Sequence, residues 1–451
     1  MLVKRYISEG LAHFSYLVAD QGQATVIDPR RDVVVYLDEA AAGGFHIDHV
    51  LETHRNEDYL VGSCEIESIT GAEIFHADSQ WDYQYGFPAE EGQIWWVGRL
   101  KIQAIATPGH TPGSMSYLLY DPDGNPWMIF TGDALFSGDV GRVDLMGQNR
   151  LEEMAGLLYD SLFTKILPLG DGIIICPAHG SGSVCGPGIN DRTWTTIGME
   201  RKNNPKLQVD SKEDFIKTHA QMLERPPYFK KMEQLNVEGP PILGKLPWLR
   251  PMLPNAFSEA GQEALVLDTR DQISFGSAHL AGSLALWSDT LPKFAGWFLP
   301  YHQPIVMIND QLSHERILRM LIRMGFDNLS GYLKGGVLNW SWAGKQLEKV
   351  EIISVSAFYQ TVNNDPDIFV LDVRSADQPW DDGIPQGVHI PLTQLKDNLS
   401  EVPKDKRVYI ICTRGNRSMT AASLLMNLGY QNVVVLIGGL TAWQAYLRNE
   451  V

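Results

Sequence analysis

Three groups of residues in this sequence are suited to chemistry. The first lies in "LETHRNEDYLVGS" (51–63), where an apolar stretch runs into Thr53-His54 and a polar turn carries Asn56, Asp58 and Tyr59. The second is a set of single residues that each follow an apolar stretch: His110 in "TPGHTPGS", Asp133 in "IFTGDALF" and His179 in "IICPAHGSGS". Imidazoles and carboxylates gathered from separate strand ends are the donor types of a transition-metal site. A single strand-end His or Asp is ordinarily a cap or a satisfied core residue. His54, His110, Asp133 and His179 in succession, each near Gly or Pro, point instead to a shared site. The third group is "VYIICTRGNRSMTAA", with the spacing C-x-x-G-x-R-S from Cys412 to Ser418. Inward backbone N–H groups in such a loop, with Arg414 and Arg417, would favour an anionic sulfur able to attack and hold a sulfane sulfur.

Strands and helices must bring these residues together. The first 200 residues alternate the two periodicities. Ser15–Val18 and Ala24–Asp28 read as strands around the turn at 20–22, and 32–42 as a helix ended by Gly43-Gly44. Ile47–Thr53 is the next strand, with His54 at its C-terminal end. Further strands are expected at 100–107, 116–120, 127–131 and 172–176. From 203 to about 254 the chain is rich in Pro and Lys, and reads as a helix at 211–223 followed by a linker with little structure of its own.

The last 200 residues contain a repeat. "ALVLDTRDQ" (264–272) matches "FVLDVRSAD" (369–377), and "MGFDNLSGYLKGGVLNW" (324–340) matches "LGYQNVVVLIGGLTAW" (428–443). Aligning Gly325 with Gly429 places Ile308 opposite Cys412, and a one-residue gap makes it Asn309. Neither is a nucleophile, so the first copy reads as inactive.

The composition is that of an ordinary globular protein, with 44% hydrophobic and 20% charged residues. A net charge of −17 leaves no basic excess to neutralise phosphates, which argues against nucleic acid or an anionic membrane as partner. No apolar run of spanning length occurs. The N-terminus lacks a signal-peptide core, and four cysteines in 451 residues make no disulfide framework. A cytoplasmic protein is expected, and self-association into a homo-oligomer is left open.

The order of the metal motifs resembles that of the metallo-β-lactamase fold. Its full members carry H-x-H-x-D-H and hold two metals. The resemblance implies that the first metal has lost a histidine to Asn56 and the second a ligand to Tyr59. What survives, His54, His110 and Asp133, is the two-histidine, one-carboxylate triad suited to non-haem Fe(II). Within this fold, persulfide dioxygenases use iron held by that set. Mononuclear Fe(II) is therefore the expected cofactor, with zinc the alternative. Asp58, Tyr59 and His179 are then assigned to the surroundings of the metal or to substrate. "SGDVGRVDL" and "TTIGMERKNNPKL" also resemble segments of these enzymes, which implies that Arg142 and Arg201 could pair with carboxylates of a glutathione-like substrate. Surface salt bridges are the other reading of the two arginines. Cys185 stands close enough in sequence to His179 to relay sulfur, or it is a small buried hydrophobe. Cys176 reads as core.

The Cys412 loop resembles the active loop of rhodanese sulfurtransferases, and "LDVRSADQ" and "IGGLTAW" match the start and end of that domain. The segment usually reading G-H-I-x-G is altered to "QGVHIPL". The whole chain is thus similar to bacterial persulfide dioxygenase–rhodanese fusions. The expected architecture is multidomain α/β. An N-terminal αββα metallo-β-lactamase fold with extension and linker (1–250) precedes a rhodanese-like domain without its cysteine (251–346) and an active rhodanese domain (351–451). The resemblance implies oxidation of a low-molecular-weight persulfide, such as glutathione persulfide, by O2 to sulfite. Sulfane-sulfur transfer at Cys412, with Arg414 and Arg417, would add a route to thiosulfate. The alternatives are a zinc-dependent thioester hydrolase of the glyoxalase II kind, or a sulfurtransferase whose metal domain is an inactive scaffold.

Overall fold

The computed structural model describes residues 1–450 except 187, 311–312, 377, 379–383 and 385–386. Parts of "AHGSGSVCGPG", "INDQLSHER", "LDVRSADQ" and "QGVHIPL" therefore lie outside the described residues. The chain divides into two compact units: Met1–Leu246 with Ile322–Gly325, and Pro247–Leu321 with Phe326–Val451.

The first unit holds two six-stranded sheets. One runs in the order β1 (Leu2–Ser8), β2 (His13–Asp20), β3 (Gln23–Ile27), β4 (His46–Glu52), β5 (Glu73–His76), β6 (Phe87–Pro88). The other contains β7 (Ile94–Val97), β8 (Leu100–Ala106), β9 (Met115–Tyr120), β10 (Pro126–Gly132), β11 (Ile174–Pro177) and β12 (Thr195–Thr196), in the order β12-β11-β10-β9-β8-β7.

Residue alternation along β2 explains why the sheets stack. Tyr16 and Val18 enter a core with Leu51, Trp95, Ile102, Tyr117 and Phe130, which joins the two sheets. Leu17 and Ala19 point the other way, against Tyr36 and Ala40 of the helix Val34–Gly43 and Ile66 of the helix Ser63–Thr70. On the far face of the second sheet, Leu118, Ile129 and Ile175 pack on Leu151, Met154 and Leu158 of the helix Leu151–Asp160 and on Phe215. The layers are helix, sheet, sheet, helix, as the metal motifs led one to expect.

The segment read as a linker needs correction. The helix expected at 211–223 spans only Lys212–His219, because the chain then turns to donate Leu223 N–H to Asp144 Oδ2 at 2.9 Å. A further helix, Phe229–Glu238, follows, and it buries Phe229, Met232, Glu233 and Asn236. Asn236 donates its amide to the carbonyls of Asn56 and Tyr59, both at 2.8 Å, and accepts the Val61 N–H at 3.1 Å. Glu233 accepts from Arg55 at 2.9 Å. The supposed linker is a brace across the loop that follows β4.

The second unit holds two five-stranded parallel sheets of the same strand order. The first is β13 (Arg250–Met252), β17 (Leu329–Leu333), β16 (Ile305–Ile308), β14 (Leu265–Asp268), β15 (Leu284–Ala285). The second is β18 (Glu351–Ile353), β22 (Val433–Leu436), β21 (Val408–Ile411), β19 (Phe369–Asp372), β20 (Gly387–His389). Asp268 pairs with Ile308 in one sheet and Asp372 with Ile411 in the other. Each aspartate also binds the arginine two residues on, Arg270 or Arg374. That register makes Asn309, the residue after Ile308, the structural counterpart of Cys412.

Asn236→Ala would leave one N–H and two carbonyls of a buried loop unpaired. At 1–3 kcal/mol per unsatisfied group, less what water recovers, it should cost the first unit about 2–4 kcal/mol. Chemical denaturation followed by a probe in that unit measures this.

Candidate metal centre and sulfur loop

Strand ends deliver the first cluster. His54 follows β4, His110 lies in the turn after β8, Asp133 follows β10, and His179 stands two residues beyond the end of β11. Gly132 lets the ends of β10 and β4 approach. It holds φ of 52°, and a Cβ there would lie 2.5 Å from Thr53 Oγ1.

All four side chains are at most 2% exposed. Asp133 Oδ2 lies 4.0 Å from His54 Nε2 and 3.5 Å from His110 Nε2. None of these three atoms has a hydrogen-bond partner. The other atom of each group is committed elsewhere, and that decides what the free one offers. Thr53 Oγ1 donates to Asp28 Oδ2 at 2.8 Å, so it accepts from His54 Nδ1, also at 2.8 Å. The Arg142 carbonyl accepts from His110 Nδ1 at 2.9 Å. Both rings therefore hold a proton on Nδ1 and turn Nε2 toward the cluster. Burial lowers the pKa of His110, but the Glu57 and Asp133 carboxylates outweigh it and raise it to about 9. Asp133 Oδ1 accepts from His179 Nδ1 at 2.7 Å, while His179 Nε2 donates to Asp58 Oδ2 at 3.0 Å. Burial alone would lower the pKa of His179, but the Asp133 and Asp58 carboxylates outweigh it and raise it well above the ordinary histidine value. His179 is thus an imidazolium clamp between two carboxylates.

The converging atoms fit a divalent transition metal. Donors about 2.1 Å from an ion sit roughly 3.0–3.6 Å apart at angles of 90–120°, close to the spacings here. The sequence motif did not single out Glu57. It is fully buried, with carboxylate oxygens 3.4 Å from His110 Nε2 and 4.0 Å from His54 Nε2. Cys185, also fully buried, donates its thiol to Glu57 Oε1 at 3.2 Å. Donor atoms of His54, Glu57 and His110 lie within 4.8 Å of one another, as do those of Asp58, His179 and Cys185, and of Glu57, Asp133 and Cys185. Cys185 is therefore part of the cluster. Tyr59 is buried against His13 with ring centroids 3.8 Å apart, and its hydroxyl has no partner.

For the two arginines the structure shows salt bridges. Arg142 is bound through two nitrogens to Asp144, both at 2.7 Å, so its charge is spent there and only its carbonyl serves the site. Arg201 donates to Asp171 at 2.9 Å and to the Leu167 carbonyl, a half-exposed surface bridge.

Cys412 follows β21 and is 2% exposed. The Gly415 N–H donates to its sulfur at 3.1 Å. Arg417 spans the loop, donating to Ser375, Thr413 and Gln378 at 2.9, 2.9 and 3.2 Å. Arg414 is exposed, and its carbonyl accepts from Gln272 of the cysteine-less copy at 3.1 Å. Ser423, on the helix that follows the loop, accepts the Ala285 N–H at 3.1 Å.

Comparison with known proteins places both parts. Residues 354–446 match the model of the rhodanese-like domain. Over 211 residues the chain is 30% identical to the human mitochondrial persulfide dioxygenase ETHE1, an alignment covering 45% of this chain and 74% of the relative. The chain belongs to the ETHE1 family. A hydroxyacylglutathione hydrolase, GloC of Haemophilus influenzae, is 26% identical over 213 residues, covering 43% of this chain and 91% of the relative. A crystal structure of a metallo-β-lactamase from Staphylococcus aureus superposes with a TM-score of 0.66 at 28% identity, covering 74% of this chain and 98% of that one. The family's metallo-β-lactamase fold is here joined to a rhodanese domain in one chain. No helix among the described residues is long and apolar enough to cross a membrane.

Gly439 holds the sulfur loop from behind. A Cβ there would fall 2.1 Å from the Cys412 carbonyl oxygen, and φ is 56°. Gly439→Ala should displace the loop, slow transfer of sulfane sulfur to Cys412 by about tenfold or more, and destabilise the second unit by about 2–4 kcal/mol. Metal binding by the first unit should not change. Stopped-flow transfer from a sulfane donor, with a melting curve, checks this.

Proposed function

We propose that this protein is a sulfur-metabolism enzyme that oxidises a low-molecular-weight persulfide, such as glutathione persulfide, with O2 and water to sulfite, releasing the carrier thiol. The reaction takes place at one Fe(II) held by His54, His110 and Asp133. Cys412 exchanges sulfane sulfur, with thiosulfate forming when sulfite accepts it. The supporting observation is the meeting of His54 Nε2, His110 Nε2 and Asp133 Oδ2, three buried ligand atoms without a hydrogen-bond partner. Membership of a family that includes persulfide dioxygenases adds to it. We take 1–250, 251–346 and 351–451 as the three domains.

An iron held by that triad would supply the redox chemistry that lets O2 react with the persulfide. The surrounding residues have separate tasks. The Asp28–Thr53 chain fixes the His54 tautomer, and the Arg142 carbonyl fixes that of His110. His179 keeps Asp133 ionised and leaves Oδ2 free. Burial of the whole set excludes bulk water from the reacting sulfur.

In the second stage the Cys412 thiolate attacks the outer sulfur of a persulfide. The S–S bond breaks, the carrier leaves as thiolate, and Cys412 holds the outer sulfur. Sulfite then attacks that sulfur, the new S–S bond breaks, and thiosulfate leaves with the Cys412 thiolate restored. The Gly415 N–H meets the negative charge on sulfur at each turn. Joining both sites in one chain raises the local concentration of the shared sulfur species.

The test is O2 uptake by Fe(II)-loaded protein given glutathione persulfide, with sulfite and thiosulfate assayed. His110→Ala should lower uptake by about 100-fold or more while leaving sulfur transfer intact. Cys412→Ser should keep uptake and lose thiosulfate. Zinc-dependent hydrolysis of a hydroxyacylglutathione thioester, without O2 uptake, would instead favour the activity named for the Haemophilus influenzae relative.

A further inference from the structure

The Glu57 carboxylate lies among the candidate metal ligands, with donor atoms of His54, Glu57 and His110 within 4.8 Å of one another. It is fully buried. A buried carboxylate is costly without paired or donating partners. Its neighbours across the cluster are His110 Nε2 at 3.4 Å and His54 Nε2 at 4.0 Å. Both imidazoles have their Nδ1 protons committed, to the Arg142 carbonyl and to Thr53. Each ring is thereby left with Nε2 turned toward the Glu57 carboxylate.

Two parallels place Glu57 with Asp133. Asp133 has Oδ1 tied to His179 and Oδ2 without a partner. Glu57 has Oε1 tied to the Cys185 thiol and Oε2 without a partner. Each carboxylate is anchored by one oxygen and aims the other into the same space. The neighbouring Asn56, in contrast, donates its amide to the His54 carbonyl at 3.3 Å, within its own loop.

We propose that Glu57 is a metal ligand of this chain, supplying beside His54, His110 and Asp133 the donor that the H-x-H pattern would have placed at residue 56. The inference rests on the metal-centre reading above and extends it. Two neutral imidazoles and two carboxylates balance the charge of a divalent ion, and Cys185 is the positioning residue for Glu57. A donor moved by one residue along the loop is the local change that keeps a metal in a site stripped of its second histidine.

Metal binding by the full-length protein tests this without recourse to turnover. Fe(II) and Co(II) are titrated against a competing chelator, and the Co(II) absorption spectrum is recorded. Glu57→Gln keeps the size and removes the charge. It should weaken both metals by about tenfold or more and alter the Co(II) bands. Asn56→Ala should stay within about threefold of wild type. Unchanged affinity and spectrum in Glu57→Gln would overturn the inference, as would loss of metal in Asn56→Ala with Glu57→Gln intact. If Glu57→Gln weakens metal but the wild type shows no persulfide-driven O2 uptake, the ligand stands and the dioxygenase reading alone falls.

Discussion

Ligand atoms that meet in a dry interior without a hydrogen-bond partner impose a strict condition on a fold. Asp133 Oδ2 lies within 4.0 Å of both His54 Nε2 and His110 Nε2. Everything near them spends its hydrogen bonds on keeping them that way. Asp28 holds Thr53, Thr53 holds His54, the Arg142 carbonyl holds His110, and the His179 imidazolium holds Asp133 against Asp58. A divalent cation in their midst would take up the unpartnered Nε2 and Oδ2 atoms together. The network is a frame that keeps one position ready for a cation.

The scaffold carries this strain through its strand ends. β4, β8, β10 and β11 are rigid because both faces of their sheets are covered, and each releases a ligand candidate just past its last residues. The loop after β4 is too irregular to hold itself, so the helix Phe229–Glu238 braces it through Asn236 and Glu233. A similar economy operates in the second unit. The copy with Asn309 in place of the nucleophile retains the sheet and the Asp268–Arg270 pair. It lends Gln272 and Ala285 to the active loop and the helix behind it. Without a cysteine at that position, the copy packs against its neighbour through these two hydrogen bonds.

How far the site could be read from the sequence follows from how local each signal is. Apolar strands ending in His or Asp are local patterns, and they located β4, β8, β9, β10 and β11 with the residues after them. The Cys412 loop is equally local, since its Gly and Arg act within six residues. Glu57 escaped because a carboxylate beside Asp58 reads as a solvated turn, and only the folded loop turns it inward. The bracing helix escaped because Pro and Lys flank it. Its signal was the spacing of Phe229, Met232 and Asn236, an i, i+3, i+7 face with a polar residue at its end. Arg142 and Arg201 were left between substrate contacts and salt bridges because an arginine's partner is set by tertiary distance. Asp144 and Asp171 claim them, and no motif announces that.

Anomalous diffraction at the iron edge from crystals of the Fe(II)-loaded full-length protein tests the central claim most directly. The account predicts one strong peak per chain, bonded to His54 Nε2, His110 Nε2 and Asp133 Oδ2. No peak there, or a second peak of equal strength held by Asp58, His179 and Cys185, would contradict a mononuclear centre.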